Sequence, residues 1–322
     1  MKNTKQTQNK TQNRRRTWKF FYLLPFTFYL LPAFSGCVPK IEIKETSKNQ
    51  DVIELNEKGT NLFRNGDYTN AIVFFQKALE INQLLDNQAG IAISYNNIGT
   101  VYLIIGKMNE AEEKFLQALE INRKHNLSSE IITNLNNLGR LYSEKADYNK
   151  AKEMYNEALK LGEKQKDMMR CALINNNLGM CEMDLNNFEE AQKYFENAEK
   201  LNRSESNLSG VAVNLLNLGN LLQKQNKSEE ALKLFEAVLK IHKQLEDSYN
   251  IAMALSTIGL TLENLKRYEE ALQYFQRAFD INQKLDLKDR MKKDLSDIIR
   301  IATFLNQKEL IKSSNEKLKS LP

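Results

Sequence analysis

The sequence predicts an all-α solenoid of antiparallel helix pairs, and three observations carry that expectation. Six glycines, Gly59, Gly99, Gly139, Gly179, Gly219 and Gly259, stand 40 residues apart. Twelve residues after each comes an alanine (Ala71, Ala111, Ala151, Ala191, Ala231, Ala271), and four further on an aromatic ring (Phe75, Phe115, Tyr155, Phe195, Phe235, Phe275). Three residues beyond the ring a second small column reads Ala78, Ala118, Ala158, Ala198, Val238 and Ala278. Residues 51–321 contain no proline, so nothing interrupts long helices. Self-similarity at one fixed period marks a stack in which each unit packs on its neighbours.

Within a unit the apolar residues recur at helical intervals, as in Leu135, Leu138 and Tyr142, and again in Ala151, Tyr155, Ala158 and Leu159. Each unit is therefore read as a helical hairpin. Polar connections such as Asn65, Gly66, Asp67 or Leu185, Asn186, Asn187 supply residues that tolerate turn geometry. A glycine inside a helix costs about 1 kcal/mol relative to alanine. Six of them imply a close approach, expected where the two helices of a hairpin cross, with the aromatic column filling the space between.

Glycine, alanine, aromatic and alanine at these spacings, with Tyr102 or Tyr142 three after the glycine, resemble the tetratricopeptide repeat (TPR). With the glycine counted as the eighth position, copies begin at Val52, Ala92, Ile132, Ala172, Ala212 and Ala252. The usual period is about 34, and the proline that usually closes the second helix is replaced by Gln83, Arg123, Glu163, Arg203, Lys243 and Gln283. The second helix is therefore expected to run about two turns further. This longer variant, with Asn136 to Gly139 and Asn176 to Gly179 both reading Asn-Asn-Leu-Gly, is similar to the repeats of kinesin light chains and of bacterial peptide-sensing regulators. The resemblance implies a right-handed superhelical solenoid that binds peptides or partner proteins in a concave groove. It places six TPR-like repeats at 51–291 and a degenerate capping helix pair at 292–322. There Ile299 and Ile311 break the small-residue columns, and Lys308, Lys312, Ser313, Ser314 and Lys317 are expected to cover the exposed end.

The amino terminus reads differently. Residues 1–19 hold seven Lys or Arg and no acid, and an uncharged, mainly apolar run follows from Phe20 to Phe34. That run has 15 residues and contains Pro25 and Pro32, which is short of the roughly 20 needed to span a bilayer. With Ser35 and Gly36 before Cys37 it looks like a bacterial lipoprotein signal, although Phe34 stands where leucine is commoner. Residues 1–36 are expected to be a signal peptide. Cys37 would be the lipidated first residue, and residues 37–50 a polar tether to the membrane. The expected location is the bacterial cell envelope, outside the cytoplasm; an uncleaved membrane anchor is the alternative. The chain has 46 basic and 41 acidic residues, but the signal takes away seven bases and no acid, leaving 39 against 41. The excess of positive charge thus belongs to the signal and gives no support for nucleic-acid binding.

No cofactor, metal or catalytic constellation is expected. His125 and His242, the only histidines, lack partners at metal or catalytic spacing. Cys171 and Cys181 lie ten residues apart on one expected helix, about 15 Å by helix rise. That is too far for a disulfide. Paired acids such as Glu189 and Glu190 fall in first turns of second helices, where they suit the helix dipole.

Function is then sought on the first-helix face that the core does not use. In the resembled family positions 2, 5, 6, 9, 12 and 13 line the groove. They bring there Asn56, Asn96, Asn136 and Asn176 at position 5, and Asn97, Asn137, Asn177 and Asn217 at position 6. A carboxamide donates and accepts, so such columns suit the backbone of an extended peptide. The alternative use is to link neighbouring helices. On the first use, Asn136→Ala with Asn176→Ala would weaken capture and spare stability. Position 9 contributes Arg140, Met180 and Asn220, and Lys224 stands at position 13. Phe63, Leu103, Ile104, Met183, Leu216, Met253 and Leu260 are expected to add apolar lining, and Arg64, Arg140 and Lys224 to offer carboxylate anchors. The partner is thus a protein or peptide in the groove. A carrier holding a small apolar ligand is the other reading.

Overall fold

The computed structural model describes residues 47–321. The expected signal peptide, Cys37 and residues 37–46 of the tether lie outside them. Two compact units follow, divided after His125. In the first are α1 (Ser47–Arg64), α2 (Tyr68–Leu84), α3 (Gln88–Ile104) and α4 (Met108–Lys124). The second holds α5 (Ser128–Glu144), α6 (Tyr148–Gln165), α7 (Met168–Asp184), α8 (Phe188–Ser204), α9 (Leu208–Lys224), α10 (Ser228–Gln244), α11 (Ser248–Asn264), α12 (Tyr268–Lys284), α13 (Lys288–Phe304) and α14 (Lys308–Ser320). Within each unit consecutive helices pack as antiparallel pairs, which is the all-α solenoid the period implies. The helix α1 starts at Ser47, so the last residues of the expected tether are helical.

The period follows from local geometry. Typical helices here run 17 residues, and three residues connect each to the next, as between α3 and α4. Helix plus connection, taken twice, gives 40. Each three-residue connection puts its middle residue in the left-handed region, Gly66 at φ 79° but also Ala146 at φ 59° and Asn186 at φ 63°, and the two-residue connection after α6 does so with Lys166 at φ 58°. The chain then closes the helix on itself, as where the Asn187 N–H donates to the Glu182 carbonyl at 2.8 Å. The next residue caps the following helix, and Asp67, Asn87, Asp147, Asp167, Asn207 and Asp247 do so with their side chains. One expectation is thereby corrected. Without proline the second helix does not simply run on. It stops at the left-handed residue, and the extra residues are shared with an added first turn on the following helix, as Ser128–Ile131 ahead of Ile132.

The glycine column is explained by the aromatic one. A Cβ on Gly59 would lie 2.7 Å from the Phe75 ring, one on Gly179 2.6 Å from Phe195, and one on Gly259 2.8 Å from Phe275. The ring of the second helix thus lies on the bare Cα of the first, which locks each hairpin. Ala71, Ala111, Ala151, Ala191, Ala231 and Ala271 are fully buried, as are Ala78, Ala118, Ala158, Ala198 and Ala278 of the second small column. In the second unit Leu215, Phe235, Ile258, Phe275, Leu295 and Ile298 share one core that reaches the capping pair. Of the residues expected to cover that end, Lys308, Lys312, Ser313 and Lys317 are exposed. Ser314 is buried instead, on the inner side of α14.

Candidate ligand-binding face

The first helices of the second unit, α5, α7, α9, α11 and α13, meet one another through polar side chains. Asn177 Nδ2 donates to Asn136 Oδ1 at 2.8 Å, and Asn217 Nδ2 donates to Asn176 Oδ1 at 2.7 Å. Further along, Gln223 donates to Thr261 at 2.7 Å, and Arg300 holds Glu263 through two bonds of 2.7 Å. Asn136, Asn137, Asn176, Asn177 and Asn217 are all buried, Asn176 to 2% and Asn217 to 3% exposure. Of the two uses open to these columns, the structure gives Asn136, Asn176, Asn177 and Asn217 the second: they link neighbouring helices. In the first unit Asn56, Asn96 and Asn97 are half-buried, and Asn97 Nδ2 approaches Asn56 Oδ1 at 3.4 Å.

A second polar column, not foreseen from the sequence, completes the seams. Asn82, Asn122, Asn202 and Asn282 stand 40 residues apart or a multiple of it, near the ends of second helices, all buried. Asn202 donates to Asn214 at 2.7 Å and Asn282 to Asp294 at 2.6 Å, while Asn82 reaches Ser94 at 3.4 Å. Asn214 in turn donates to Asn176 at 3.0 Å, joining the two columns. Gly90 and Gly210 leave the room that Asn82 and Asn202 occupy. A signal for this exists in the sequence. Where the column breaks to Gly162 and His242, the residues twelve on are Ile174 and Ala254, whereas after Asn82, Asn202 and Asn282 they are Ser94, Asn214 and Asp294.

With the asparagines engaged, the accessible part of the face falls to position 9 and its neighbours. Arg140, Met180 and Asn220 are half-buried and Lys224 is exposed. Arg140, Asn220 and Lys224 make no hydrogen bond or ion pair with another described residue. Other bases of these helices are held: Arg170 by Asp167 and by Ser129 at 2.8 Å, Arg290 over the Tyr249 ring at 4.7 Å, and Arg300 by Glu263 and Asp297. Ile104, Leu216, Met253 and Leu260 are half-buried, as lining residues would be, while Phe63, at position 12, lies edge-on to Tyr68 of its hairpin partner with ring centroids 5.6 Å apart. Leu103 and Met183 are not lining. Both are buried, and Met183 packs with Ala191, Phe195 and Leu221, because position 12 turns toward the hairpin partner.

Titratable groups in the seams are tuned for structure. Lys152 reaches Glu182 at 2.6 Å, and Asn187 donates to the same carboxylate at 2.7 Å. Burial pushes the Glu182 carboxyl up, but those two bonds outweigh it and hold the group below its ordinary value. Cys171 and Cys181 are free and buried. Burial pushes both thiols up to about 11, so they are protonated at neutral pH and poor nucleophiles. Ser143 and Cys181 meet at 3.0 Å across α5 and α7. Among the described residues no three His, Cys, Asp or Glu side chains converge as metal ligands. No described helix is long and apolar enough to cross a membrane.

Comparison with known proteins places this geometry. Family models described as tetratricopeptide repeat match residues 51–124, 170–244, 210–284 and 132–164. No curated protein matches the sequence. Among solved structures, a Rap protein complexed with competence and sporulation factor is similar at TM-score 0.63 and 17% identity, covering 86% of this chain and 76% of that one. The Rap conjugation gene regulator of plasmid pLS20, in complex with a Phr peptide, gives TM-score 0.58 and 17% identity over 89% of this chain and 81% of its own. BtubC from P. vanneervenii gives 0.57 and 18%, over 75% and 93%. At such identities the likeness concerns the fold, while the family models span more than half of the sequence. The chain belongs to the tetratricopeptide repeat family.

Proposed function

We propose that this protein is an interaction scaffold that captures a peptide or protein segment on its first-helix face, and that a lipid on Cys37 tethers it to a bacterial membrane outside the cytoplasm. The observation that carries the binding reading is the contrast on that face. Asn136, Asn176, Asn177 and Asn217 are engaged with one another, whereas Arg140, Asn220 and Lys224 have no hydrogen bond or ion pair among the described residues, and Met180, Leu216 and Leu260 on the same series of helices are half-buried. Unengaged polar groups on a rigid repeat array are what a ligand can use. The reading gains support from similar folds that were solved with bound ligands, the Rap protein with competence and sporulation factor and the pLS20 regulator with a Phr peptide. The tether rests on the sequence from Lys2 to Cys37.

Photocrosslinking in cells tests the binding reading. A benzophenone amino acid replacing Asn220 is expected to give a discrete adduct with one polypeptide, and the same group replacing the exposed Lys243 on α10 is not. Equal labelling from both positions would remove the claim. For the tether, Cys37→Ser is expected to abolish fatty-acid labelling and release the protein from membranes. Labelling that persists would count against it.

A further inference from the structure

We propose that the segment captured by the second unit is an extended peptide with an acidic group opposite Arg140 and apolar side chains opposite the repeats that follow. This rests on the first-helix face being the ligand-binding face. It goes further by stating which side chains read the ligand and what they read.

The asparagine columns are the obvious candidates for holding a peptide backbone, and the structure removes them from that role. Asn176 Oδ1 already accepts from both Asn214 and Asn217, Asn136 Oδ1 accepts from Asn177, and all of these carboxamides are buried. A ligand would have to break seams between repeats to reach them. Capture blind to side-chain sequence is therefore unavailable over α5, α7 and α9, and recognition passes to position 9.

Position 9 reads Arg140, Met180, Asn220 and Leu260 along four successive first helices. Met180 and Leu260 are half-buried, packed on the core by one side and open on the other. Leu173 and Val213, at position 2 of the same series, are half-buried as well. Helices in contact pack about 8–10 Å apart, and an extended chain advances about 3.3 Å per residue. Each first helix thus faces roughly three ligand residues, so the apolar contacts at Met180 and Leu260 call for apolar ligand side chains about six residues apart. Asn220, between them, has no hydrogen bond among the described residues, so its carboxamide is open to ligand backbone.

Charge complementarity fixes the remaining element. Arg140 is half-buried and has neither hydrogen bond nor ion pair among the described residues, whereas Arg170, Arg290 and Arg300 on the same series of helices are each held by neighbours. A guanidinium presents a planar fork matched to carboxylate, and a partly desolvated one gains most from an anion. The acidic group is an Asp or Glu side chain or the peptide's own terminal carboxylate.

The test is selection from a phage-displayed library of random nonapeptides on the immobilised full chain, followed by fluorescence anisotropy with one enriched peptide made synthetically. Enriched sequences are expected to carry an acid at one end and apolar residues beyond it. Arg140→Glu is expected to weaken the synthetic peptide at least tenfold, and reselection on that variant to replace the acid by Lys or Arg. Arg140→Ala, which loses no hydrogen bond or ion pair among the described residues, separates loss of the anchor from repulsion. If enriched peptides bind Arg140→Glu and the parent equally, this assignment is overturned while peptide capture stands. If no sequence is enriched over an unrelated helical protein, both fall.

Discussion

Replacing Asn176 by alanine tests the seams most severely. Its Oδ1 accepts Nδ2 donors from Asn214 at 3.0 Å and Asn217 at 2.7 Å, and the site is 2% exposed. Alanine leaves two buried donors without an acceptor, each costing about 1–3 kcal/mol. It also removes the Asn176 Nδ2, which is buried and itself unpartnered, so about one such penalty is returned. The net loss is roughly 1–3 kcal/mol, concentrated where α7 meets α9. For an array of this length that corresponds to a Tm lower by roughly 2–12 °C. Repeat arrays can unfold in parts, so the assay is amide hydrogen exchange read helix by helix, with urea unfolding beside it. Faster exchange in α7, α8 and α9 and little change in α13 is the expected result. A variant with parental exchange and a parental urea midpoint would show that the two donors lose nothing when their acceptor is removed. The structure thereby reverses the expectation that Asn136→Ala with Asn176→Ala would spare stability.

Three further outcomes follow from local geometry. Gly179→Ala puts a methyl 2.6 Å from the Phe195 ring and is expected to cost about 1–3 kcal/mol by overpacking; a urea midpoint unchanged from the parent would show that the ring yields freely. Ala146→Gly relieves a left-handed alanine at φ 59 and is expected to stabilise by about 1 kcal/mol, with a lower midpoint as the contrary result. Burial pushes the Asp294 carboxyl above its ordinary value, against the bonds from Asn282 and Ser256. A carboxyl raised by folding supports the fold fully below its unfolded value, and that support is lost as pH rises through its folded value. Asp294→Asn is therefore expected to raise the urea midpoint at pH 7.5 and to lose that advantage toward pH 4. A variant less stable at pH 7.5 would show that the ionised carboxylate is favoured there.

The hairpins and their period were legible in the sequence because the constraint behind them is steric and repeated. An aromatic ring on a bare Cα admits only glycine at Gly59 and its five counterparts, so the pattern cannot drift. Helix ends were harder to read. The left-handed residue that stops each helix is glycine only at Gly66 and Gly106, and elsewhere residues such as Ala146, Lys166 or Glu246 accept the strain. The asparagines were legible as a set and ambiguous in use. A carboxamide that links two helices has the same composition and spacing as one that faces a ligand, and only the separation between first helices decides which it is. Leu103 and Met183 were misplaced for a related reason. Position 12 lies at the edge of the helical face, where a small rotation moves a side chain from lining to core. Arg140 was visible in the sequence as a possible anchor, but its significance depends on the pairing of Arg170, Arg290 and Arg300, which no spacing reveals.

On the proposed function, the first helices of the second unit bind the ligand while the asparagine seams between them stay closed. The decisive measurement is amide hydrogen exchange of the full chain, with and without a peptide enriched from the nonapeptide library. Protection is expected in α5, α7 and α9 around Arg140, Met180 and Asn220, with α6, α8 and α10 unchanged. Protection centred on the second helices, or faster exchange along the seams when peptide binds, would contradict it.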